Sequence, residues 1–99
     1  MRRKASPKVV MANRDIGEQF RVWRKMLGLT LDQAADRAGI ARSTLQKIES
    51  GDGGVSFQAV LSTARALGFL DSIVTATDPY ETDFGRARAD MALPERVRS

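Results

Sequence analysis

Arg42, Ser43, Gln46 and Lys47 carry the side chains best suited to act on a partner. They fall on one side of a short helix whose other side holds Leu45 and Ile48. Arg and Lys suit guanine, Gln suits adenine, and Ser suits either. Thr44 lies among them and joins the candidate set. The chemistry on offer is recognition by hydrogen bonding. Covalent chemistry has little to work with, because the chain has no His and no Cys. Triads and metal sites built from either residue are therefore excluded. Carboxylate pairs remain, but no pocket-forming architecture is evident. The expectation is a protein that is not an enzyme and has neither cofactor nor metal.

These residues need a scaffold, and the flanking sequence supplies one. A first helix opens at Thr30 and stops at Gly39; a second runs from about Arg42 to Ser50 and stops at Gly51. Thr30 and Gln33 form a capping box, and the two glycines suit the left-handed residue that closes a helix. Ala34, Ala35 and Ala38 share one face and are small enough to let the second helix approach closely. The result reads as a helix-turn-helix, the geometry that places a polar helix in a DNA major groove. Gly51-Asp52-Gly53-Gly54 then makes a turn. It lacks the ligand spacing of a calcium loop and the Gly-Lys-Ser/Thr of a phosphate loop.

The surrounding blocks are specific in combination. They are Trp23-Arg24-Lys25-Met26-Leu27-Gly28-Leu29-Thr30, Ala38-Gly39-Ile40-Ala41-Arg42-Ser43-Thr44-Leu45, Lys47-Ile48-Glu49-Ser50-Gly51 and Ala64-Arg65-Ala66-Leu67-Gly68. Residues from about 13 to 70 resemble the lambda-repressor-like, XRE-type helix-turn-helix family. The resemblance implies an all-α fold, a five-helix bundle that binds operator DNA as a dimer. It also implies an ion pair between Arg24 and Glu49. Thr30, Gln33, Arg42, Ser43, Thr44, Gln46 and Lys47 are the candidate DNA contacts. Leu31 and Ala41 depart from the family, which often has Gln and Ser there. Neither a phosphate contact from the first position nor a strong cap at the second is expected.

Further elements follow from periodicity. Residues 1–12 lack it, contain Pro7, and read as a flexible arm before a domain at 13–77 and a tail at 78–99. Residues 1–14 carry Arg2, Arg3, Lys4, Lys8 and Arg14 with no acid, within a net charge of +4. Such an arm either follows phosphates and the minor groove or is a solubilising leader. Asn13 is the expected cap of a helix with Ile16, Phe20, Trp23 and Leu27 on its core face. Phe57, Val60, Leu61, Ala64 and Leu67 mark another, capped by Ser56. Phe69, Leu70, Ile73 and Val74 exceed what a four-helix core needs and are the expected dimer interface.

Residues 82–92 could form a short helix showing Phe84, Ala87 and Met91, stopped by Pro94; Asp78, Glu81 and Asp83 read as a solvated acidic linker. No run of 18 apolar residues suggests a membrane span, and no signal peptide is recognisable, so a cytoplasmic protein is expected. The functional expectation is a sequence-specific repressor, a homodimer on palindromic double-stranded DNA. Thr82 to Asp90 with Leu93 to Arg98 is similar to the tails of antitoxins that partner HipA-like kinases, which implies a toxin partner. The alternatives are a stand-alone phage-type or metabolic repressor and a protein-interaction module that does not bind DNA.

Overall fold

The computed structural model describes residues 4–92, and every regular element among them is helical. Helix α1 (Pro7–Met26) is capped by Ser6 rather than Asn13. Ser6 Oγ accepts the Val9 N–H at 3.3 Å, and Pro7 stands at the first helical position. Proline costs nothing there, since its missing N–H would be unpaired anyway and its φ is already helical. The expected flexible arm is therefore helical from Pro7 onward. Lys4 to Ala12 are exposed, so this basic end projects from the body. Arg2 and Arg3 lie outside the described residues.

The core face of α1 also differs from the expected stripe. Phe20 is buried, but Ile16, Trp23 and Leu27 keep 47%, 42% and 48% of their surface exposed; the buried line is Gly17, Phe20 and Arg24. The cause is the neighbouring helix. Gly17 lets its end come close, and Arg24 finds a carboxylate on it. These two contacts set the rotation of α1.

Helices α2 (Leu31–Ala38), α3 (Arg42–Glu49) and α4 (Phe57–Leu67) pack with α1 around Phe20, Ala34, Ala35, Leu45, Ile48, Ala64 and Leu67. Leu45 has no exposed surface. Thr63 is equally buried, and its hydroxyl donates to the Ala59 carbonyl at 2.9 Å, which satisfies the polar group. Ser56 caps α4 by accepting the Ala59 N–H at 3.0 Å. Phe57, expected in the α4 stripe, is exposed, because it occupies the first position of the helix, at the edge of the core.

Helix α5 (Leu70–Ala76), with Phe69 before it, carries the expected dimer surface. The Phe69 ring meets Phe20 edge-on at 5.0 Å and lies 5.6 Å from Trp23. Phe69, Leu70 and Ile73 are partly buried against the chain's own core, and of the four only Val74 is mostly free, at 59% exposure. These side chains pack over α1 and α4.

A 3-10 turn (Pro79–Glu81) leads from the five helices α1 to α5 to a sixth, α6 (Asp83–Ala92), where the sequence allowed a short tail helix at 82–92. Its main packing partner is that turn. Gly85 lies so close to the Pro79 carbonyl that a Cβ there would collide with it. Phe84, Ala87 and Met91 are exposed, as the stripe reading requires of a helix without a covering partner. Leu93 to Ser99, including Pro94 and the last part of the antitoxin-like tail, lie outside the described residues. The radius of gyration is 16.7 Å, above the roughly 13 Å of a compact domain of this length, consistent with projecting ends. No single helix among the described residues is long and apolar enough to cross a membrane.

Candidate nucleic-acid interface

The turn that aims α3 begins at Gly39, whose φ of 72° only glycine adopts without strain. The Gly39 and Ile40 N–H groups donate to the Asp36 and Ala35 carbonyls, each at 3.1 Å. This pattern closes α2 and turns Ile40 onto the core as the accompanying apolar contact. Three residues, Gly39 to Ala41, thus turn the chain from α2 into α3. Ala41 stands at the α3 cap position and makes no side-chain cap, in line with its departure from the family pattern.

With Leu45 and Ile48 inward, Arg42, Ser43, Gln46 and Lys47 are exposed on the outer face of α3. Thr44 is half-buried and sits at the border between face and core. Thr30 and Gln33 are exposed but already engaged. Thr30 Oγ1 accepts the Gln33 N–H at 3.1 Å, and Gln33 Oε1 accepts the Thr30 N–H at 2.9 Å. The cap occupies the Gln33 carbonyl oxygen, and the side-chain amide N–H groups are left to donate to a phosphate.

Position and pitch of α3 are held by Arg24 and Glu49. Arg24 Nε and Nη2 donate to Glu49 Oε2 and Oε1 at 2.7 and 3.1 Å, a two-pronged pair. Arg24 Nη1 donates to the Leu29 carbonyl at 2.9 Å. One guanidinium therefore ties α1, α3 and the α1–α2 loop together. The two side chains are only 9% and 8% exposed. Their hydrogen bonds offset the cost of desolvation, and no buried side-chain N or O among the described residues lacks a partner.

Arg21 was not among the candidates, and the structure adds it. It shares a shallow groove with Leu31, Ser43, Gln46, Lys47 and Ser50. Its pair with Glu18, at 3.3 Å, is exposed and weak, so the cation remains available. Its distance of three residues from Arg24 was the signal: a helix residue at that spacing from the α3-facing arginine lies on the same flank. Arg42 has an unexpected neighbour too, with Nε 3.4 Å from Asp32 Oδ1.

The face is an exposed row of donors on a helix that the core holds rigidly. It can read base edges with α3 and bind phosphate from α1. A family model described as a helix-turn-helix domain matches residues 15–75, which span α2, the turn and α3 together with most of α1, all of α4 and nearly all of α5. No curated protein matches the chain. More than half of the chain lies within the family match, and the chain belongs to this helix-turn-helix domain family.

Proposed function

We propose that this protein is a sequence-specific transcriptional repressor that binds a palindromic operator as a homodimer. The observation that carries the reading is the outer face of α3, where Arg42, Ser43, Gln46 and Lys47 are exposed around the buried Leu45 and Ile48. Arg42 and Gln46 read bases in the major groove, while Arg21 and the Gln33 amide hold phosphates. Selection of duplexes from a random DNA pool tests it. Arg42→Ala or Gln46→Ala is expected to cost about 1–3 kcal/mol on the selected site and to relax preference at one base pair. Arg21→Gln is expected to weaken all duplexes alike and to flatten the salt dependence of log K by about 0.9. Variants that bind as wild type does would remove the assignment.

A second role rests on α6. Its Phe84 and Met91 are exposed, and the helix is packed mainly on the 3-10 turn rather than on the bundle. An isolated helix of this length is marginal in water and gains from a covering surface. In this reading the tail holds a toxin of the HipA-like kinase type while the bundle stays on DNA, and the protein is an antitoxin. Truncation after Thr77 is expected to leave operator binding intact and to abolish capture of the toxin. Capture that survives truncation favours the repressor without a toxin partner.

A further inference from the structure

We propose that Asp32 is a positioning residue that orients the Arg42 guanidinium toward a guanine and so helps set base preference. The inference rests on the DNA-binding reading of α3. Arg42 is the first residue of α3, and Asp32 lies in the first turn of α2. The turn between the helices brings Asp32 Oδ1 to 3.4 Å from Arg42 Nε. Among the described residues, no other ion pair or hydrogen bond engages the Arg42 side chain. With Nε facing the carboxylate, Nη1 and Nη2 form the free end of the fork. That end is the part that pairs with guanine O6 and N7.

Stability does not account for the pair. The two side chains are 58% and 78% exposed, and exposed pairs contribute little to folding. A carboxylate on a DNA-facing surface also repels phosphate, which would weaken binding to every sequence alike. Any benefit to recognition must come from an effect that differs between sequences. An unrestrained arginine samples many rotamers and can meet a phosphate as readily as a base. The carboxylate attracts one edge of the guanidinium without a hydrogen bond in the free protein; that bias favours the two-pronged contact with guanine over competing contacts. Asp32 also sits where a helix dipole favours negative charge. That effect would stabilise α2 but would leave base preference untouched.

The experiment compares the full chain with Asp32→Asn, Arg42→Ala and the double variant on one random duplex pool, with thermal unfolding of each. Arg42→Ala identifies the base pair read by Arg42. Asp32→Asn is expected to lower the guanine preference there by about threefold to tenfold. Preferences elsewhere should hold, and Asp32→Asn should have no further effect on that base pair when Arg42 is already Ala. An unchanged preference at that base pair overturns the inference. So does a gain in affinity shared by all duplexes with the preference retained, which would make Asp32 a simple source of repulsion. If wild type enriches no sequence, the DNA-binding reading itself fails, and this inference with it. That result differs from the loss of Asp32's role on an otherwise selective protein.

Discussion

Arg24 is the residue on which the geometry of the candidate interface turns. Its guanidinium makes three hydrogen bonds, to both Glu49 oxygens and to the Leu29 carbonyl. Replacing it with Ala leaves the Glu49 carboxylate buried without its cation and the Leu29 carbonyl without its donor. Loss of one partner in such a pair costs about 3–5 kcal/mol. For a small domain that is a large share of its total stability. Arg24→Ala is expected to lower the urea midpoint accordingly, and an unchanged midpoint would show that the pair is not deeply coupled to folding. The loss should reach DNA binding as well, because the same side chain holds α3 in place.

Among the helices, the close crossing of α1 over the end of α3 decides how the two meet. A Cβ on Gly17 would lie 2.9 Å from the Glu49 carbonyl oxygen and 3.0 Å from the Gly51 nitrogen, and closer still to the Ile48 carbonyl. These are backbone atoms, so no side-chain rotation relieves the contact. Gly17→Ala removes a helix-interior glycine, a gain of about 1 kcal/mol. Against it stands overpacking at about 1–3 kcal/mol, with the Arg24–Glu49 pair pulled apart as the helices separate. The clash is expected to win, and the variant should unfold at lower urea than wild type. A raised midpoint would show that α1 and α3 can part without penalty.

For the molecule as a whole, the open question is where two copies meet. Phe69, Leu70 and Ile73 are partly committed to the core, whereas Val74 and part of Trp23, which stacks near Phe69, remain accessible. In the homodimer proposed above, this surface makes the two-fold contact and sets the recognition helices about 34–36 Å apart, one turn of DNA. Val74→Asp is the appropriate probe, since Ile73→Asp would also damage the fold. Sedimentation of Val74→Asp is expected to show monomers, with operator affinity sharply reduced and thermal unfolding little changed. An intact dimer would move the contact elsewhere, with α6 as the next surface to test.

The residues of α2 and α3 were legible because their signals are local. The Thr30–Gln33 box, the stops at Gly39 and Gly51, and the inward spacing of Leu45 and Ile48 depend on neighbours within a few positions, and the structure has them where the spacing put them. The Arg24–Glu49 pair was implied by the family resemblance, which carries distant contacts that local spacing does not. The start of α1 was also a local signal, in Ser6-Pro7, but it was outweighed by the lack of apolar periodicity that follows. The rotation of α1 was decided by tertiary structure, since an amphipathic stripe does not say which neighbour it meets, and a glycine and an arginine took the inner face. The surplus at Phe69 to Val74 could not be assigned to core or interface from the sequence, because its use depends on how α5 docks on α1 and α4. Arg21 beside Lys47, and Asp32 beside Arg42, exist only once helices distant in the chain have packed, because the core fixes the direction in which each outward side chain points.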